Sequence, residues 1–289
     1  MIVAETSRKR GWGVFGAVLC LAIGHVVMAQ DGGNADAENI LASIDWVQGP
    51  ATGDLGGMAE IQVPAGYLMT RGEGTRTLMD AMGNIPSNTE VGLLGPEDLS
   101  WFAVFEFDKC GYIKDDEKND LDADAMLKSI KEGTKQANKV RKERGFDTLN
   151  ITGWEKPPHY NEQTHNLEWA IRAQGSDGSQ TVNHNVRLLG RNGVMKVVLV
   201  CGPEELGAVM PLFDGHLATF AFSEGHKYGE FRKGDKLAKY GLTALVVGGA
   251  SAVAVKSGLL RHLVKFIVVG AGAVSVFFKK LFGRGGSKA

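Results

Sequence analysis

NLEWAIRAQGSDGSQTVNHNVRLLGRNGVMKVVLVC, residues 166–201, holds three strand-like runs in succession with turn chemistry between them. Asn166 to Ala173 alternates, with Leu167, Trp169 and Ile171 on one face and Glu168 and Arg172 on the other, the period of a half-buried strand. Gly175-Ser176-Asp177-Gly178-Ser179 turns it. Thr181 to Leu188 then places Val182, His184, Val186 and Leu188 on one side and Asn183, Asn185 and Arg187 on the other. Gly190-Arg191-Asn192-Gly193 tolerates positive φ, and Val194 to Cys201 is apolar enough for a central strand covered on both faces. The stretch predicts an antiparallel meander as the floor of a sheet.

Working outward, Trp101 to Asp108 alternates as a further strand, and Leu149 to Trp154 as a short one. Ala59 to Leu68 reads as an edge strand or hairpin, because Pro64 lacks a ladder donor. A long helix follows the acidic run Asp115 to Asp124 and ends at Arg144 before Gly145. Its apolar stripe is Met126, Leu127, Ile130, Ala137 and Val140, broken by Thr134, and its charges run from acidic to basic as the helix dipole favours. Lys156-Pro157-Pro158-His159-Tyr160 reads as a rigid loop. Gly202-Pro203-Glu204-Glu205 reads as the start of a helix buried through Leu206, Val209, Met210, Phe213 and Leu217 and kinked at Pro211, with a last strand over 218–222. The fold class expected is α+β, a single antiparallel sheet flanked by helices and followed by C-terminal membrane helices.

The ends set the expected compartment. Arg8-Lys9-Arg10, the apolar run 11–27 and Val27-Met28-Ala29 have the layout of a secretory signal peptide over 1–29; an uncleaved anchor is the alternative. Residues 30–39 are a polar lead-in, 40–234 an extracytoplasmic domain and 235–289 a membrane anchor with a basic tail. Within the anchor, 240–255 carries no charge and would span about 24 Å as a helix, and 266–278 about 20 Å. The second is open between a returning helix, a re-entrant piece and an interfacial helix. The net charge of -1 hides a division: every charged residue from Lys256 onward is basic, so the body is acidic. An acidic body argues against nucleic acid, whereas the tail suits anionic lipid head groups, making membrane lipids the first expected partner. The small residues Gly248, Gly249, Gly270 and Gly272 suit self-association or plain lipid contact.

Candidate chemistry is sparse. Gly72-x-Gly74 imitates a phosphate loop but lacks a third glycine, and the acids from Asp115 to Asp124 lack the glycine and glutamate of a calcium loop. No histidine spacing predicts a metal site, and no cofactor is implied. His165 and His184 could meet across neighbouring strands beside Glu168, with His159 and Asp115 as further candidate acid-base or ligand groups. Trp154, Pro157, Pro158 and Tyr160 could form a recognition loop. Cys110 and Cys201 could pair in an oxidising compartment or remain buried thiols.

Trp46-x-x-Gly49-Pro50, Val63-Pro64-x-Gly66-Tyr67, Gly111-Tyr112-Ile113-Lys114-Asp115-Asp116, Gly153-Trp154-x-x-Pro157-Pro158-x-Tyr160 and Asn183-x-Asn185-x-Arg187-x-Leu189-Gly190-Arg191-x-Gly193 resemble, in this order, the bacterial membrane-anchored proteins called domain of unknown function 2167. The tail Lys279-Lys280-Leu281-Phe282-Gly283-Arg284 is similar to theirs as well. The resemblance implies an envelope protein at the bacterial inner membrane with its main domain in the periplasm, and by analogy a PsbP-like sandwich; it brings no catalytic residues. The function expected is a non-enzymatic interaction or scaffold module with an envelope protein partner. The alternative is a membrane-tethered hydrolase or metal-dependent enzyme.

Overall fold

The computed structural model describes residues 39–247. The signal-peptide and second apolar segments expected from the sequence lie outside them, as do the lead-in up to residue 38 and the second half of 240–255.

The meander forms from the three expected strands. β8 (Asn166–Gly175), β9 (Gln180–Leu189) and β10 (Val194–Cys201) pair antiparallel, with Trp169 opposite Asn185 and Val197 opposite Val186. β10 also pairs with β6 (Phe102–Asp108), which places it in the interior of an eight-stranded sheet ordered β1-β4-β5-β6-β10-β9-β8-β7. The outer members are β1 (Trp46–Gln48), β4 (Tyr67–Arg71) and β5 (Glu90–Pro96) on one side and β7 (Leu149–Asn161) on the other. A second sheet of three strands, β11-β3-β2, is built from β2 (Ala51–Asp54), β3 (Ala59–Val63) and β11 (Ala221–Phe222). The single sheet expected from the sequence is therefore two, because Pro64 ends β3 and lets the chain pass from the small sheet into β4.

One face of the large sheet carries Ala103, Phe105, Phe107, Met195, Val197, Leu199, Val182 and Val186. It packs against Ile61 and Val63 of the small sheet and Val209 and Phe213 of the helix Leu206–Leu217. That helix begins after the Pro203-Glu204-Glu205 turn, later than expected. The other face is covered in two separate patches. Helix α1 (Gly72–Ala81) sets Leu78 and Met79 over Leu93, Phe102, Val104 and Val198. Helix α2 (Ala123–Glu143) sets Met126 and Ile130 over Ile151, Leu167, Trp169 and Ile171. The helix Leu206–Leu217 is α3.

Gly72-x-Gly74 lies inside α1 and forms no phosphate loop: a Cβ at Gly74 would stand 2.1 Å from the Thr70 hydroxyl, so glycine lets the helix close on β4. α2 starts where the acidic run predicts, with the Asp122 carboxylate accepting from the Ala125 amide at 3.0 Å. Its buried stripe is Met126, Ile130, Thr134 and Arg141, in place of Ala137 and Val140. Thr134 fits because its hydroxyl donates to the Ile130 carbonyl at 2.8 Å, and Arg141 because it donates to the Asp147 carbonyl.

Three further expectations are corrected. Lys156-Pro157-Pro158-His159-Tyr160 is the second half of β7 and no loop. Prolines fit there because β7 is an edge strand, and its register against β8 shifts between Ile151 and Gly153, Trp154 and Lys156, and Lys156 and His159. Cys110 and Cys201 are free thiols. The register sets Val194 against Asp108 and Val200 against Phe102, so the two thiols stand at opposite ends of the β6-β10 ladder, far beyond disulfide reach. Finally, the first part of the apolar run 240–255 belongs to the folded body: in α4 (Leu242–Val247), Leu242, Leu245 and Val246 are buried with Ile113, Trp169 and Val194. The chain leading into α4 is tied down too, since Tyr240 donates to Asp108 at 3.0 Å and Arg191 grips Asp235 through two bonds of 2.7 and 2.8 Å. Among the described residues no helix is long and apolar enough to cross a membrane.

Candidate functional sites

The β8-β9 register puts His184 opposite Ala170, on the face covered by α3. His184 is buried with its ring edge-on to Phe213 at 5.8 Å, and its Nε2 lies 3.9 Å from the Glu168 carboxylate. Glu168 in turn pairs with Lys156 of β7 at 3.4 Å. Burial, helped by the nearby Lys156 charge, pushes the imidazole down to about 4, so His184 is neutral at ordinary pH. Asp214 of α3 faces the same group, its carboxyl raised first by burial and then by the Glu168 charge. The cluster is a neutral imidazole near a lysine-paired carboxylate, with the 3.9 Å between His184 and Glu168 too long for a direct hydrogen bond. Among the described residues no group of three or more His, Cys, Asp or Glu side chains could hold a metal ion.

A prediction follows from His184. The unfolded imidazole takes up its proton near pH 6.5 and the folded one only near 4, so acid favours the unfolded chain between those values. Stability is expected to fall by on the order of 3 kcal/mol as pH drops through that window. Urea unfolding of the native chain and of His184→Gln at several pH values checks it: the variant should lose most of the slope.

His165 does not join His184. Its carbonyl accepts from the Leu189 amide at 3.4 Å, five positions further along β9, or about 17 Å. It stands instead on the opposite face, where the Tyr160 hydroxyl bonds Asp115 at 3.1 Å and His165 Nδ1 at 3.2 Å. Tyr228 closes this cluster, 4.7 Å from the His165 ring. Tyr160 is buried, and Trp154, further along β7, is partly buried with its indole N–H donating to the Ala123 carbonyl at 3.2 Å. These two rings fill the core. Pro157 and His159 are exposed, with His159 opposite Glu168 in the ladder.

A polar row escaped the sequence reading. Glu90, Glu106, Lys196 and Arg187 stand side by side across β5, β6, β10 and β9. They lie on the face that carries the α1 and α2 patches. Arg187 is 3% exposed, lies 4.5 Å over the Trp169 ring, and donates to Asn185 Oδ1 at 3.3 Å and the Val186 carbonyl at 3.1 Å. Lys196 pairs with Asp108 at 3.2 Å, and Thr89 donates to Glu106 at 3.3 Å. Burial pushes the guanidinium down to about 10 and raises the Glu106 carboxyl. The signal was present: single charges interrupt the apolar strands β6 and β10 at positions that become neighbours.

An open groove of about 620 Å³ runs between α2 and the first half of β7. Lys128, Lys131 and Lys135 line its helix side together with Asp124 and Glu132, and Asn150, Ile151 and Ser176 its strand side. Asn138 bridges the two walls, donating to the Leu149 carbonyl at 2.7 Å and accepting from its amide at 2.9 Å. This satisfies the outward backbone of the edge strand there, while shifts in register and prolines interrupt it further on.

Fold and sites together define an α+β protein: a large antiparallel sheet with helices on both faces, a buried polar row and an open groove at one edge. The chain belongs to the family described as Protein of unknown function (DUF2167), whose model matches residues 47–279. It is also similar to the solution structure of cyanobacterial PsbP (CyanoP) from Synechocystis sp. PCC 6803, at 12% identity and a TM-score of 0.36, over 69% of this chain and 100% of that one. Among curated proteins nothing matches.

Proposed function

We propose that the chain is an exported, membrane-moored interaction module of the bacterial envelope that receives an extended, carboxylate-bearing segment of a protein partner in the groove beside α2. The observation that carries this reading is the groove itself: Lys128, Lys131 and Lys135 outnumber Asp124 and Glu132 along its helix side and face an edge strand. Lys128, Lys131 and Lys135 recur at the three- and four-residue spacing that puts side chains on one helix face, so an extended partner meets them in sequence. Only Lys135 is engaged with an acid, Glu132 at 2.7 Å, in an exposed pair worth little to the fold. Interruptions along β7 turn recognition away from strand pairing and toward side chains.

The test is photocrosslinking in intact cells from a reactive residue placed at Asn150, on the open wall. A discrete protein adduct is expected, and none above background would remove the proposal. A second reading, a membrane-tethered hydrolase, is favoured by the His184-Glu168-Lys156 cluster. It requires that His184→Gln abolish a function that charge changes in the groove leave alone.

A further inference from the structure

At the end of the large sheet opposite the β8-β9 turn, the segment 227–239 folds back over the start of Gly111-Tyr112. Tyr112 pairs with Leu237 in a parallel bridge, its amide donates to the Lys236 carbonyl at 2.8 Å, and its ring stacks on Tyr228 at 4.5 Å. Among the described residues three large apolar side chains stand out into solvent, Leu212, Phe231 and Leu237; two of them fall in this segment. Phe231 is 39% exposed although it touches the Tyr112 ring at 4.3 Å, and Leu237 is 47% exposed.

The same surface is basic. Lys227, Arg232, Lys233, Lys236 and Lys239 are exposed along it, and Lys109 adjoins them through its carbonyl, which accepts from Lys236 Nζ at 3.2 Å. The acids within the segment are taken: Glu230 accepts from the Lys227 amide at 2.9 Å, and Asp235 is held by Arg191. Protruding apolar side chains ringed by cations that form no ion pair among the described residues and flanked by tyrosines match the boundary between head groups and acyl chains. They match an acidic protein less well, since that would leave Phe231 and Leu237 unused.

We infer that this surface lies on the bilayer, with Phe231 and Leu237 reaching below the head groups and the surrounding lysines and arginine meeting anionic lipid. The contact would hold the body in a fixed attitude on the membrane, and it rests on the reading of the chain as membrane-moored. α4 runs from this surface into the core, so the described chain from this segment to Val247 is fixed to the body. Each basic residue near an anionic leaflet adds roughly fivefold to the binding constant.

The experiment uses the full chain with its own cysteines replaced by serine, carrying an environment-sensitive dye at Leu237→Cys, Phe231→Cys or, as a control at the far end of the sheet, Asn150→Cys. Each is incorporated into vesicles of phosphatidylcholine alone or mixed with phosphatidylglycerol. Dye at positions 231 and 237 should shift to the blue and be quenched by nitroxide near the top of the acyl chains, more strongly with phosphatidylglycerol; dye at 150 should do neither. Changing Arg232, Lys233 and Lys236 to Glu should remove most of the shift. If the chain floats with vesicles while all three dyes behave alike, the inference fails and the mooring stands. If the chain does not float with anionic vesicles, both fail.

Discussion

Truncating Arg187 to alanine is expected to lower the free energy of unfolding by about 3–5 kcal/mol, the loss that follows when one member of a buried charge set is removed and the others stay. Arg187 is the innermost cation of the row; burial and the neighbouring Glu106 and Asp108 charges act on it, and its guanidinium lies over Trp169. Without it, Glu106 and Glu90 face one another across adjacent strands with Lys196 as the nearest counter-charge in the row. The paired substitution Arg187→Met with Glu106→Gln removes charge from both sides and keeps the volume, so it should come within about 1–2 kcal/mol of the native chain, or exceed it. Urea unfolding followed by tryptophan fluorescence compares the three. A single truncation that costs nothing would mean that water reaches the row and screens it.

Leu245→Ala is expected to cost about 2–5 kcal/mol, the range for emptying a leucine site in a packed core. Leu245 is 3% exposed and sits with Leu242 and Val246 against residues of α2, β8 and β10. The same change at Leu212, which is 50% exposed on α3, should stay within about 0.5 kcal/mol. Unfolding midpoints of the purified full chain in one mild detergent measure both. Were Leu245 in contact with lipid, its truncation would leave the unfolding of the domain where it was.

Much of the fold was legible because strands and helices write their period into the sequence. β8, β9, β10 and β6 follow from alternation and turn residues, and the start of α2 follows from its acidic run capped by Asp122. The misreadings have physical causes. Asn183, Asn185 and Arg187 alternate with apolar residues as a solvent-facing row would, yet β9 is buried on both faces. Period reports which residues share a face, and only the rest of the fold decides what covers it. Pro157-Pro158 reads as a break because proline cannot donate, but an edge strand has a side on which no donor is needed. Leu242 to Val247 has the composition of a membrane segment because a fully buried helix and a lipid-facing one are built from the same residues. The candidate pairs divided by distance along the sheet. Glu168 and His184 meet because their strands are adjacent and the residues nearly level, whereas His165 lies too far along the ladder to reach them. The groove was illegible for a different reason: its walls, α2 and β7, are separated by the turn at Gly145, and three lysines on an amphipathic helix read as an ordinary solvated face.

The proposed groove is tested most directly by the yield of the adduct formed from position 150 in cells, measured for the native helix and for one in which Lys128, Lys131 and Lys135 are all changed to Glu. Reversal should reduce the adduct at least tenfold, about 1.4 kcal/mol or more of lost affinity, with the chain present at its normal level. An undiminished adduct from the reversed helix would show that the partner does not read those charges, and would contradict the account.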